Sequence, residues 1–173
     1  MMHKTLQTTM NPSAQDEQTL KIALDTMVRG LVHGEESPDG FNARFWQATI
    51  KSLRAKRIKQ LSRAWPILNK ELKEDLYPLL EDYCHECKLP ADGNPLADGL
   101  NFVKWLAPKN LLTPNIKLKR MKVEVLYKSM PYGLVPRKGL AFRILFLKNP
   151  ARIAIRIKIQ KPGIFLFKLP FAK

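Results

Sequence analysis

Residues 151–160 read ARIAIRIKIQ, and this stretch decides how the C-terminal part of the chain folds. Isoleucine stands at every second position and alternates with small, basic or polar residues. Successive side chains of a β-strand point to opposite faces of a sheet, so an alternation of period two is typical of a strand with one face in the core. The pattern predicts a strand over residues 151–161 that turns its isoleucines toward the core and Arg152, Arg156 and Lys158 to the opposite side.

Other β-rich runs lie close to this strand in the sequence. Residues 120–128, 140–148 and 163–169 are rich in β-branched, aromatic and other large apolar residues, and the segments between the runs carry Pro and Gly turn signals. In the first run, Met121 and Val123 belong to a second alternation of period two. Short turns join neighbouring strands in antiparallel order, so we predict a small antiparallel β-sheet of three or four strands.

Upstream of these runs, the apolar residues recur at intervals of three or four, which is the period of an amphipathic α-helix. Gly, Pro and other turn-forming residues interrupt the pattern, which predicts helices over residues 16–32, 41–63, 67–87 and 96–106. Helices of this length can enclose a common core, so we predict a compact four-helix bundle. The predicted fold class is α+β, an N-terminal four-helix bundle followed by a small antiparallel β-sheet.

The positive charge is concentrated in the last third of the chain. Residues 117–173 contain 15 Lys or Arg and one acid, Glu124, for a net charge of +14, whereas residues 1–116 have a net charge of +1. A change this sharp beside a Pro-containing stretch is typical of a boundary between folded units. It predicts a polar disordered arm, a helical bundle domain, a linker and a basic β-sheet domain, over residues 1–15, 16–106, 107–116 and 117–173.

One basic residue lies where the helical pattern expects an apolar one. On a helical wheel of residues 41–63, Arg57 falls between Ile50 and Leu53 on the apolar stripe. The structural interpretation is that its stem packs on the core while its guanidinium pairs with a carboxylate from a later helix. The functional interpretation is that Arg57 forms a fork for an anionic ligand.

The residue types that usually carry catalysis or bind metals are scarce. Cys84 and Cys87 are the only cysteines, and His3 and His33 do not lie at a spacing that would complete a zinc site with them. We therefore expect two ordinary reduced cysteines, no metal site and no cofactor. The sequence contains no glycine-rich phosphate loop, no His-Glu-x-x-His motif and no histidine near a serine or cysteine nucleophile motif. These features predict a protein that is not an enzyme.

Hydrophobic segments of the length that membranes require do not occur. No stretch approaches the roughly 20 consecutive apolar residues of a spanning helix, and residues 1–18 are too polar for a signal peptide. We therefore expect a cytoplasmic protein without a membrane span.

Several segments of the helical half form a spaced pattern. They are SLRAKR at residues 52–57, RAWPIL at 63–68, LYPLLEDY at 76–83 and GLNFVKWL at 99–106. An arginine-bearing helix ends at a Pro-containing segment, a helix ending near Tyr follows, and a Phe-x-x-x-Leu helix comes last. Over about residues 20–106 this pattern resembles the helical domain, which bears a DNA-binding label, of the HvfC/BufC/MbnC-like partner proteins of multinuclear non-haem iron oxidases.

This resemblance implies a function as well as a helical fold. Such partner proteins assist an iron-dependent enzyme that modifies cysteines in ribosomally made peptides, and they bind the precursor peptide. They also place a β-rich domain after the helical one, as this chain does. The resemblance therefore implies an adaptor in ribosomal peptide natural product biosynthesis, with a precursor peptide and an iron-dependent oxidase as its partners.

Three kinds of partner remain open for the basic half. A peptide could add to an edge of the sheet and place acidic side chains against its basic face. Alternatively, the same face could contact nucleic-acid phosphates without reading sequence. The residues predicted to bind the peptide or the phosphates are Lys122, Arg143, Arg152, Arg156 and Lys158. A third interpretation is that the apolar sheet face or residues 164–167 touch an anionic membrane surface.

Overall fold

A computed structural model describes residues 14–130, 133–148, 151–159 and 163–170 of the chain. Residues 1–13 of the predicted arm lie outside this part. The helices are α1 (Ala14–His33), α2 (Ala43–Ala64), α3 (Pro66–Leu72), α4 (Leu76–Glu86), α5 (Pro95–Leu106) and α6 (Pro114–Leu126), with a 3-10 turn at Lys73–Asp75. The strands are β1 (Tyr127–Met130), β2 (Gly133–Pro136), β3 (Ala141–Lys148), β4 (Ala151–Ile159) and β5 (Gly163–Pro170). The predicted α+β class with antiparallel sheets is confirmed.

The chain divides into two compact units, and the division falls inside α2, between Lys51 and Ser52. In the first unit the indole of Trp46 lies against Gly30, and its Nε1 donates a hydrogen bond to the carbonyl oxygen of Glu35 at 2.9 Å. Several large apolar side chains of α1 are more than half exposed: Leu20, Ile22 and Val28. The predicted four-helix bundle, which would include α1, is therefore not confirmed.

The second unit contains a core of aromatic and aliphatic side chains. Trp65 is fully buried between α2 and α3, and Gly99 of α5 makes room for it, because a Cβ at position 99 would overlap the indole ring. The Nε1 of Trp65 donates a hydrogen bond to the carbonyl oxygen of Leu96 at 3.1 Å. Tyr83 of α4 packs edge-on against Phe102 of α5, with 5.2 Å between the ring centroids. These contacts join α5 to α4 and to the segment between α2 and α3.

Helix α6 occupies residues that we predicted as the end of a linker and the beginning of a strand. Thr113 caps the helix, since its Oγ1 accepts a hydrogen bond from the backbone N–H of Ile116 at 3.3 Å, and Pro114 takes the first helical position. Helix α6 packs against α3 and α5 and also against β3 and β4. It is therefore covered on two sides.

Burial on two sides explains why α6 resembles a strand in sequence. Residues two apart on an α-helix point in nearly opposite directions. Ile116 and Val123 are buried in the core with the other helices, whereas Met121 lines a cavity of about 300 Å³ together with Leu145 of β3. Apolar residues therefore alternate along α6. The strand predicted over residues 120–128 is wrong for residues 120–126, which are helical, and only Tyr127 and Lys128 belong to a strand, β1.

Two antiparallel sheets come after α6 in the sequence, and one of them packs against this helix. Strands β1 and β2 form a two-stranded hairpin, and β3, β4 and β5 form a three-stranded sheet with β4 in its centre. The strands predicted over residues 140–148, 151–161 and 163–169 correspond to β3, β4 and β5 and are confirmed to within a few residues.

Candidate functional site

The register of β3, β4 and β5 arranges large apolar side chains in three rows on one face of the sheet. Residues paired across neighbouring strands lie on the same face at about 5 Å from each other. The rows are Phe142, Ile157 and Phe165; Ile144, Ile155 and Phe167; and Phe146, Ile153 and Leu169. We call these nine residues the open apolar face.

Much of the open apolar face is in contact with water. Its four phenylalanines are between 49% and 66% exposed, and Ile144 and Leu169 are each about half exposed. The isoleucines of the central strand have a neighbouring strand on either side and are partly buried. Single apolar residues are normal on a protein surface, but a contiguous patch of several hundred Å² is typical of a binding site.

The opposite face of the sheet packs against α6. Ala154 is fully buried there, Leu147 is nearly so, and Arg156 is only 8% exposed. Arg143 of β3 lies across from Arg156 in the register, and its Nε is 3.9 Å from an Oε2 of Glu124 on α6. The face that carries the basic residues is therefore the covered face.

The five predicted binding residues do not form a common exposed surface. Lys122, on α6, and Arg143 and Arg152, on the strands, are exposed. Lys158 is partly buried, and its Nζ donates a hydrogen bond to the carbonyl oxygen of Arg137. Arg156 is buried.

The prediction that Arg152, Arg156 and Lys158 project away from the core is therefore wrong for Arg156 and only partly right for Lys158. The reason is that alternation assigns residues to two faces but does not show which face another element covers. The prediction rested on assigning the isoleucine face to the core. In the structure α6 covers the other face.

Arg57 binds a carboxylate of a later helix, as the structural interpretation predicted. Its Nε and Nη2 donate hydrogen bonds to the two carboxylate oxygens of Asp98 on α5, each at 2.8 Å. Its Nη1 donates to the carbonyl oxygen of Cys87 at 2.9 Å, and Nη2 also donates to that of Lys88 at 3.3 Å. A guanidinium has five N–H donors, and four of them are used here. These contacts within the chain favour the structural interpretation of Arg57 over a fork for an external anion.

Asp98 was not identified as a functional or structural residue from the sequence. It is 1% exposed, and its Oδ1 also accepts a hydrogen bond from the hydroxyl of Tyr83 at 2.8 Å. Burial disfavours the charged guanidinium of Arg57, but the hydrogen bonds and the charge of Asp98 outweigh this effect and raise the pKa of Arg57. The sequence signal that could have identified Asp98 is the position of an acidic residue inside α5, whose other residues are mainly apolar.

Both cysteines have the character of ordinary thiols. Burial raises the pKa of the Cys84 thiol to about 11, and burial also raises the pKa of Cys87. The nucleophilic form of cysteine is the thiolate, so neither residue is activated at neutral pH.

No three His, Cys, Asp or Glu side chains in the described part of the chain are grouped so that they could bind a metal ion. Among the described helices, none is long and apolar enough to span a bilayer.

Of the comparisons with known proteins, one gave a match, and that match lies in the helical part of the chain. Neither the curated proteins nor the solved structures gave a match. No comparison links the chain to the HvfC, BufC or MbnC proteins, so that resemblance stays an expectation. A model of the family described as "SCO6045-like, C-terminal domain" matches residues 22–108, which run from α1 through α5 and end before α6 and the sheets. The chain belongs to the family of SCO6045-like C-terminal domains.

Proposed function

We propose that this protein is a non-enzymatic adaptor that binds a partner polypeptide on the open apolar face of its three-stranded sheet. The observation that carries the proposal is the exposure of four phenylalanines in three adjoining rows of apolar residues. Keeping such a patch in water is unfavourable, and in soluble proteins patches of this kind are mainly binding surfaces.

The size of the open apolar face suits a protein interface. A phenylalanine side chain has roughly 200 Å² of surface, so its four phenylalanines and two exposed aliphatic residues leave on the order of 600 Å² of apolar area in water. A specific interface buries about 800 Å² on each partner. Covering this face would therefore provide most of the contact area of a standard interface.

The edges of the same sheet support a peptide as the partner. Within the described part of the chain, β3 and β5 each pair only with β4, so each has an edge with unpaired backbone groups. An extended peptide can add to such an edge and place every second side chain on the open apolar face. The net charge of +14 in residues 117–173 favours an acidic peptide.

The resemblance of residues 20–106 suggests which polypeptides these are. We infer that the partners are a precursor peptide and an iron-dependent peptide-modifying oxidase in ribosomal peptide natural product biosynthesis. In this proposal the oxidase contains the metal, and the adaptor contributes binding and positioning of the peptide.

The test replaces two exposed residues of the open apolar face. The variant carries Phe142→Ser and Phe167→Ser, and the matched control is Tyr77→Ser, which alters an exposed aromatic residue of α4. Binding of short cysteine-bearing peptides encoded beside this gene is measured by fluorescence anisotropy. We expect the double variant to bind at least tenfold more weakly and the control to bind as the parent does. Equal binding by the double variant and the parent would remove the basis of the proposal.

A second candidate function is sequence-nonspecific binding of nucleic acid, which the charge of residues 117–173 favours. The exposed candidates for phosphate contacts are Lys122, Arg143 and Arg152. Duplex binding through several phosphates weakens log-linearly with added salt and does not depend on base sequence. Peptide binding through apolar contacts should weaken only modestly with salt and should depend on peptide sequence. Titrations of a duplex and of a peptide at several salt concentrations separate the two functions.

A further inference from the structure

Arg156 is a buried cation without a hydrogen-bonding partner for its Nε. It lies on the covered face of β4, is 8% exposed, and follows the fully buried Ala154 by two positions. Removing an ionised guanidinium from water is costly unless charged or polar groups compensate for the lost hydration. Arg57 shows the compensated arrangement, with Asp98 and two carbonyl oxygens around it. Arg156 lacks this arrangement.

The described neighbours of Arg156 do not provide a counter-ion. Glu124 is the only acid in residues 117–173, and it pairs with Arg120 at 2.8 Å and with Arg143 at 3.9 Å. In β3 the residue across from Arg156 is Arg143, and in β5 it is Leu166. No ion pair between Arg156 and a carboxylate occurs in the part of the chain that the structure describes.

Two lysines of α6 add further positive charge at this position. Helix α6 packs on β4 and carries Lys119 and Lys122 one turn apart. Burial lowers the pKa of Lys119, and the charges of Lys122 and Arg156 lower it further. The Trp65 ring, whose centroid is 5.7 Å from the Nζ of Lys119, compensates part of this cost. No carboxylate among the described residues pairs with Lys119, Lys122 or Arg156, and like charges brought together where water is partly excluded favour the binding of an anion.

We propose that Arg156, Lys119 and Lys122 form a binding site for a phosphate group between α6 and β4. Three cations match a phosphate, which carries a charge of about −1.5 to −2 at neutral pH and offers several acceptor oxygens. A single carboxylate would leave two positive charges without compensation. The guanidinium donates in a planar fork that fits adjacent phosphate oxygens, and the ammonium groups donate from the helix side. The site lies on the opposite side of the sheet from the open apolar face and does not depend on peptide binding there.

The test compares inorganic phosphate with chloride at matched ionic strength and pH 7.5. Phosphate stabilises many proteins nonspecifically by exclusion from their surface, so the informative quantity is a saturable rise in Tm that depends on Arg156. We expect saturable stabilisation of the parent, at least a tenfold loss of phosphate affinity by calorimetry in Arg156→Gln, and a parent-like response in Arg152→Gln, which alters an exposed arginine of the same strand.

Arg156→Gln should fold, because it removes an uncompensated buried charge, and its Tm in chloride should equal or exceed that of the parent. If it does not fold, Lys119→Gln takes its place, with the same expected loss of phosphate affinity.

A short single-stranded oligonucleotide distinguishes the source of the phosphate. Binding of both probes, each lost in the variant, assigns a general phosphate site, and binding of the oligonucleotide alone assigns the site to a nucleic-acid backbone. Equal responses of the parent and the variant to both probes would overturn the proposal.

Discussion

Replacing Asp98 by Asn tests the buried network that joins α2, α4 and α5. The carboxylate of Asp98 accepts two hydrogen bonds from Arg57 and one from Tyr83, each at 2.8 Å. The Asp98 side chain is 1% exposed and that of Arg57 is 10% exposed. The substitution keeps the shape of the side chain but leaves the guanidinium charged and buried. It also turns an amide N–H₂ toward a group that can only donate.

The size of the expected stability loss follows from the burial of both Arg57 and Asp98. Removing one partner of a buried ion pair costs about 3–5 kcal/mol, because the remaining charge has lost its compensation. We expect Asp98→Asn to lower the free energy of unfolding by roughly 3–4 kcal/mol and the Tm by on the order of 10 °C. Urea unfolding followed by tryptophan fluorescence measures this loss, since Trp65 is buried beside α5. Asp82→Asn, an exposed acid on α4, is the control and should change stability by less than about 0.5 kcal/mol.

A double-mutant cycle shows whether the loss comes from the pair itself. Arg57→Met and Asp98→Leu should each be strongly destabilising, whereas the double variant should be less destabilised than the sum of the two by about 1–3 kcal/mol. Additive losses, or a loss of less than about 1 kcal/mol in Asp98→Asn, would show that the Arg57–Asp98 pair does not contribute as its burial implies.

Two other predictions concern the same unit. Gly99→Ala should lower the free energy of unfolding by about 1–3 kcal/mol or more, because its Cβ would overlap the Trp65 indole, whereas Asn101→Ala on the exposed side of α5 should be nearly neutral in the same urea titration. Because burial raises the pKa of Cys84 to about 11, its thiol stays protonated below that pH, so iodoacetamide at pH 8 should alkylate it at least tenfold more slowly in the folded than in the urea-unfolded protein. Peptide mapping measures both rates, and equal rates would contradict the reasoning.

Local signals in the sequence were sufficient for several element boundaries, although the helix predicted over residues 67–87 is interrupted by the 3-10 turn at Lys73–Asp75. Helices predicted over residues 41–63 and 96–106 are Ala43–Ala64 and Pro95–Leu106 in the structure. Proline disfavours helical geometry in the residue before it, and α2 ends at Ala64, one residue before Trp65-Pro66. Such signals act within a few residues and do not depend on the rest of the fold.

Helix α6 was not predictable in the same way, because its apolar pattern depends on what surrounds it. A helix covered on one side shows a period of 3.6, whereas a helix covered on two opposite sides can show an alternation of period two. Thr113 and Pro114 were the local signals for its beginning, since a threonine cap followed by proline is typical of a helix start. Because the charge of the chain changes at the same place, the sequence instead predicts a linker there.

The central strand shows a second limit. Its isoleucines predict correctly which residues share a face, but the choice of the covered face depends on α6. Ala154 lies where α6 packs, and a small side chain at this position lets the helix come close to the sheet, which a row of isoleucines would prevent. The more apolar face is therefore left in water. Exposure of this face to water is unfavourable as long as the sheet remains uncovered. The exposure contradicts the sequence-based assignment of the two faces, and it also supports a binding partner for the open apolar face.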